Sequence, residues 1–135
     1  MKLSKAQATI AKDDHRFKVA ICGRRFGKTY LAIREMCYRA KEPDQNVWYI
    51  TSSYRAAKMI VWKPLKNKLL DLKWVAKINE SELSIELKNG STISLKGADN
   101  YDSLRGSSIS YVVLDEVSEI PPNAWTEVIR PALAD

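Results

Sequence analysis

Two short segments hold the residue types best suited to chemistry. The first is Cys22-Gly23-Arg24-Arg25-Phe26-Gly27-Lys28-Thr29, which leaves the apolar run Val19-Ala20-Ile21 and enters a stretch with helical spacing. A loop between a strand and a helix N-terminus aims backbone N–H groups and the positive end of the helix dipole at a phosphate. Gly27 lets the backbone approach phosphate oxygens. Lys28 sets an ammonium against the β- and γ-phosphates, and the Thr29 hydroxyl suits Mg²⁺. One position departs from the common pattern, because the first glycine place holds Cys22 and Gly23 follows it. The second segment is Tyr111-Val112-Val113-Leu114-Asp115-Glu116. It reads as a buried strand that delivers two carboxylates at its C-terminal end, where parallel α/β sheets place their ligands. There Asp115 would hold Mg²⁺, commonly through water, and Glu116 would polarise the water that attacks a γ-phosphate. Each segment alone has a plain reading, a chance Gly-Lys-Thr at a helix start and an ordinary strand end. Together they predict one nucleotide-hydrolysing site.

The elements around them must position that site. Residues 5–12 read as a short helix and 16–22 as the strand feeding the loop. The helix expected over 28–41 carries Leu31, Ala32, Met36, Cys37 and Ala40 near helical spacing and stops before Pro43. Val47-Trp48-Tyr49-Ile50 predicts a second buried strand, and the hydroxyls of Thr51-Ser52-Ser53 suit the cap of the next helix. That helix, from Tyr54 to Leu70, contains Pro64, which predicts a kink or a restart. Residues 83–95 form an amphipathic hairpin. A two-residue Asn89-Gly90 loop would mix its faces, whereas a three-residue Lys88-Asn89-Gly90 loop with Gly90 left-handed pairs Ile85 with Ile93 and Leu83 with Leu95. Ser84, Glu86, Thr92 and Ser94 then fall on the other face. After Glu116, Pro121-Pro122 opens a short helix through Trp125 to Ile129.

At 135 residues, with 45% hydrophobic and 28% charged residues, the chain is at most one domain of an ordinary globular protein. No run approaches the ~18 apolar residues of a membrane span, and Met1-Lys2-Leu3-Ser4-Lys5 lacks a signal-peptide core, so a cytosolic protein is expected. Cys22 and Cys37 lack metal-site spacing and read as reduced thiols; His15 stands alone. The net charge of +6 is polarised: residues 1–77 hold 18 Lys and Arg against 6 Asp and Glu, a balance of +12, and residues 78–135 hold 4 against 10, a balance of −6. A surface that meets a polyanion and a merely solvated basic face both fit this pattern.

Four features together resemble the ATPase half of the large terminase subunit of tailed bacteriophages. They are the Gly23 to Thr29 loop, Tyr54-Arg55-Ala56-Ala57-Lys58 with Trp62 following, Asn89-Gly90-Ser91 with Leu104-Arg105-Gly106, and Leu114-Asp115-Glu116. The resemblance implies a P-loop NTPase fold of the ASCE or RecA-like kind: a mostly parallel sheet flanked by helices, with a β-hairpin insertion. ATP and Mg²⁺ would be the cofactors, with Gly23, Arg24, Arg25, Phe26, Gly27, Lys28 and Thr29 around the nucleotide and Thr29 and Asp115 at the metal. Gln7 matches a glutamine that hydrogen-bonds adenine in similar motors; a solvent-facing helix glutamine is its plain alternative. Arg105 matches an arginine that reaches a neighbouring subunit's nucleotide, and Arg24 could stabilise transition-state charge from within its own loop. Both assignments stay open. Arg55, Lys58 and Lys66 would contact DNA phosphates without sequence preference. The implied partners are double-stranded DNA, the portal protein and the small terminase subunit, with a ring of copies on the portal, in the cytoplasm of an infected bacterium.

In similar motors a further strand lies between the Asp-Glu strand and the phosphate-loop strand, and a nuclease domain follows. Neither is present in residues 1–135, so the chain reads as a partial ATPase domain. The two strands are then expected to lack a common neighbour, leaving backbone groups unpaired, with weak nucleotide binding and little turnover as the result. A helicase of superfamily 1 or 2 shares the loop and the Asp-Glu strand, and a remnant that binds nucleotide or DNA without hydrolysis is the non-enzymatic alternative.

Overall fold

The computed structural model describes residues 18–21, 26–99, 108–115 and 123. The helix expected at 5–12, that expected at 121–129 apart from residue 123, and the residues Cys22 and His15 lie outside them. Among the described residues six strands form one mixed sheet: β1 (Lys18–Ile21), β2 (Asn46–Thr51), β3 (Val75–Asn79), β4 (Ser84–Leu87), β5 (Thr92–Gly97) and β6 (Tyr111–Asp115), in the order β1-β6-β2-β5-β4-β3. Helices α1 (Phe26–Ala40), α2 (Tyr54–Ala57) and α3 (Lys63–Asp71) accompany it.

Strand alternation sorts the sheet's side chains. Val47, Tyr49, Ile85, Ile93, Leu95, Tyr111 and Val113 join one core with Ala32, Met36 and Ala40 of α1 and Leu65 and Leu69 of α3. The opposite-parity residues Trp48, Ile50, Val112 and Leu114 are buried as well. β2 and β6 are therefore covered on both faces, and that is why their sequences are apolar without a break.

One expectation is overturned here. β1 and β6 do not lack a neighbour; they pair with each other in parallel, Lys18 opposite Val112 through Ile21 opposite Asp115, and β6 pairs on its other side with β2. Backbone groups buried in a sheet need partners, and direct pairing supplies them. The unpaired backbone from which weak nucleotide binding was expected is therefore absent between these two strands.

The hairpin is corrected in its placement and upheld in its register. Ile85 opposes Ile93, Leu95 N–H donates to Leu83 O at 2.9 Å, and the loop Lys88-Asn89-Gly90 closes with Leu87 N–H on Ser91 O at 2.8 Å. Gly90 has φ +90°, a left-handed conformation that favours glycine. Yet the hairpin is no insertion. β5 pairs in parallel with β2 along its whole length, from Asn46 opposite Thr92 to Thr51 opposite Gly97. Ser94, expected on an open face, is consequently buried. The sequence reading missed β3, which pairs antiparallel with β4 at the sheet edge, because a register shift between Val75 and Lys77 breaks the alternation that would mark it.

The long helix restarts at the proline. Ser53 caps α2, its Oγ accepting from Ala56 N–H at 3.0 Å. A π-helical turn, Lys58–Trp62, follows, and α3 begins with Pro64 in its first turn. That position tolerates a residue without an N–H, and the wider turn before it accommodates the ring.

The hairpin tip also ties down the end of α1. The Asn89 Nδ2 group faces the carbonyls of Ala40, Lys41 and Glu42 at 2.9, 3.0 and 3.3 Å. The Ser91 hydroxyl, fully buried, donates to Glu42 O at 2.6 Å and accepts from Gln45 N–H at 2.9 Å. These bonds satisfy carbonyls that every helix C-terminus leaves open. Replacing Asn89 by Ala is expected to cost about 1–2 kcal/mol in urea unfolding, the scale of a lost helix cap.

Burial pushes the Cys37 thiol up to about 11 from 9.0, opposed weakly by Lys68. The unfolded chain loses this proton first, so stability contributed below pH 9 is lost as pH rises from 9 towards 11. Cys37→Ala should show a shallower loss over that interval in pH-dependent urea unfolding.

Candidate functional site

The carboxyl ends of β1 and β6 define the site. Parallel neighbours run ~4.8 Å apart, so Ile21 beside Asp115 brings the strand exit into the glycine-arginine loop next to the carboxylate-bearing strand tip. α1 starts at Phe26, and Gly27, Lys28 and Thr29 occupy its first turn. No acidic residue lies in that turn, which leaves the positive end of the helix dipole unopposed by a side chain of its own. Thr29 is half-buried.

Strand parity decides which side Asp115 faces. Tyr111 and Val113 share its parity and belong to the core that α1 covers, so Asp115 projects to the α1 side of the sheet. Its burial is almost complete, at 2% exposure, and its Oδ2 accepts a hydrogen bond from the Tyr49 hydroxyl. Tyr49 belongs to the same core and is 1% exposed. Asp115 and the first turn of α1 thus lie on one face of the sheet, at one edge. The sequence reading treated Tyr49 as strand filling. The available signal was its parity: it sits two residues before the end of β2, as Val113 does in β6, and the two are register partners.

A hydroxyl and a carboxylate are hard oxygen donors, the set that suits Mg²⁺ bound through few protein groups with phosphate and water completing the shell. The residues present therefore fit that ion. Gln7, Gly23, Arg24, Arg25, Arg105 and Glu116, the other expected site residues, lie outside the described residues.

The expected DNA contacts divide. Arg55 and Lys58 are exposed on α2 and the π turn. Lys66 is engaged within the chain: its Nζ pairs with Glu80 Oε2 at 2.9 Å and lies 5.2 Å from the Trp62 ring centre. Trp62 Nε1–H donates to Glu80 Oε1 at 2.8 Å, and this bond, with Lys66, holds the Glu80 carboxyl below its usual range. Lys66 would have to leave Glu80 to meet a phosphate. No helix among the described residues is long and apolar enough to cross a membrane.

Comparison with known proteins identifies the family and the fold. The family model described as "Terminase large subunit, T4likevirus-type, N-terminal" matches residues 19–135. The chain is 31% identical over 123 residues to the terminase large subunit of Escherichia phage T5, covering 88% of this chain and 28% of that protein. It is 28% identical over 148 aligned positions to the terminase large subunit of Thermus phage G20c, covering 95% and 30%. Among solved structures, the large terminase ATPase domain of Thermus phage P74-26 superposes with a TM-score of 0.73 at 25% identity, over 98% of this chain and 61% of that one. The large terminase of another thermophilic bacteriophage, solved with ADP, shares the fold with a TM-score of 0.71 at 18% identity, over 99% and 37%. The chain spans less than a third of the length of these curated relatives. A family match running from β1 through residue 135 leaves one conclusion: the chain belongs to the terminase large subunits of the T4-like type, within their N-terminal region.

Proposed function

We propose that the chain is the ATP-binding and ATP-hydrolysing segment of a DNA-packaging terminase, a P-loop motor of the ASCE or RecA-like kind. The observation that carries this reading is the parallel register that sets Ile21 beside Asp115 on the face covered by α1. The exit of β1, the N-terminus of α1 and the carboxylate then lie at one end of the sheet, as a triphosphate site requires. The thermophilic phage terminase solved with ADP and with ATP-γ-S lends support from the same fold.

In this reading the backbone of Gly23 to Gly27 wraps the phosphates and Lys28 neutralises their charge. Thr29 and Asp115 hold Mg²⁺, which when bound withdraws charge from the phosphate oxygens. Glu116, one residue beyond the strand, takes a proton from the attacking water. Arg24 from the same loop or Arg105 from a neighbouring copy stabilises the charge that develops, and Gln7 reads adenine. In the whole protein, hydrolysis would drive double-stranded DNA through a ring seated on the portal, with the small subunit as a further partner and Arg55, Lys58 and Lys66 near the phosphate backbone.

Calorimetric titration of the chain with Mg-ATP provides the test. Lys28→Ala should weaken binding at least tenfold, about 1.4 kcal/mol. Asp115→Asn should remove most of the affinity that Mg²⁺ adds while leaving metal-free binding in place. Equal affinities for the parent and both variants would end this reading.

A further inference from the structure

We infer that Tyr49 is a positioning residue for the metal-binding carboxylate, acting through Asp115 and not through the nucleotide. The inference rests on the nucleotide-site reading above and extends it to a residue outside both sequence segments.

The geometry is set by the sheet. Tyr49 lies in the middle layer of a parallel triplet, opposite Val113 of β6 on one side and Leu95 of β5 on the other. Its side chain projects to the α1 face, as do those of Val113 and Asp115. Asp115 lies two residues beyond Val113 along β6, so it is the diagonal same-face neighbour of Tyr49. Diagonal neighbours stand roughly 7–8 Å apart at Cα, a gap that a long aromatic side chain spans and a short one does not. The phenol crosses that gap and donates to Asp115 Oδ2.

Both partners are almost wholly buried, and their surroundings fix the donor. Tyr49 shares one buried core with Val47, Ile93, Leu95, Tyr111 and Val113, with Leu95 and Val113 as its register partners. A ring packed in this way has few alternative rotamers, so its hydroxyl stays where the carboxylate needs it. One oxygen of Asp115 is thereby pinned, and with it the plane of the carboxyl group. A carboxylate that ligates a metal depends on such outer partners for its orientation, and their loss typically lowers metal affinity about 10–100-fold. Tyr111 provides the internal contrast. It too is a buried tyrosine on this face, but its hydroxyl faces Glu35 Oε2 at 3.4 Å and its ring lies 4.4 Å from the Arg39 guanidinium.

The experiment compares the gain in ATP affinity that Mg²⁺ brings, measured by titration calorimetry with and without the ion, in the parent chain and in Tyr49→Phe. The expected result is a gain reduced about tenfold in Tyr49→Phe, metal-free affinity within about twofold of the parent, and no change of gain in Tyr111→Phe. In an Asp115→Asn background, Tyr49→Phe should leave the Mg²⁺ gain unchanged, since no ionised carboxylate is then present to be positioned. A full Mg²⁺ gain in Tyr49→Phe, or equal losses with and without the ion, would overturn the inference. If Tyr49→Phe melts before titration, 3,5-difluorotyrosine at position 49 keeps ring and hydroxyl while making a stronger donor; an unaltered Mg²⁺ gain would then overturn it. If instead Lys28→Ala and Asp115→Asn bind Mg-ATP as the parent does, the nucleotide-site reading fails and this inference with it. Loss in those two with no loss in Tyr49→Phe refutes the tyrosine's role alone.

Discussion

The parallel pairing of β1 with β6 is the constraint on which the rest of the arrangement depends. Both strands are short, and β6 is apolar until its last residue. Register along a buried strand is set by which side chains must be covered, and a slip of one residue would turn Asp115 away from α1 and Leu114 towards it. Leu114 is buried on one face and Tyr111 and Val113 on the other, and the observed pairing is the one that leaves Asp115 on the α1 side.

The same double use of residues recurs away from the site. Asn89 and Ser91 form a turn, yet their side chains also end α1 and hold the connection into β2. Gly97 closes β5 where the backbone of Ser53 and Tyr54 passes so near that a Cβ would lie 2.1 Å from Tyr54 N. Only glycine admits that approach, which brings the capped start of α2 against the sheet. The π turn before Pro64 is a further irregularity, and it carries Val61 and Trp62 into the core while Met59 and Ile60 stay exposed.

Much of this was legible in the sequence, for reasons that can be named. Uninterrupted apolar runs at 47–50 and 111–114 betray strands covered on both sides. The hairpin register followed from the choice between two loop lengths, because only one kept Ile85 and Ile93 on a common face. A cap was expected from the hydroxyls of Thr51-Ser52-Ser53, and Ser53 is the one that supplies it. What escaped was non-local. No local pattern tells that β5 will pair with β2, so Ser94 looked like an exposed residue. Strand adjacency was also misjudged, since the expected order rested on resemblance and β1 and β6 pair directly in the structure. Tyr49 offered only its parity in β2, which acquired meaning once the pairing of β2 with β6 put Asp115 within its reach.

The register shift between Val75 and Lys77 has a bearing on behaviour at high concentration. β3 ends the sheet, and a straight, apolar border strand would offer its open amides and carbonyls to another molecule as a template. Here the extra residue twists that border, and Lys77 and Ala76 face solvent. Such a margin resists stacking edge to edge, so on this side the molecule is guarded against fibrillar self-association by its own irregularity.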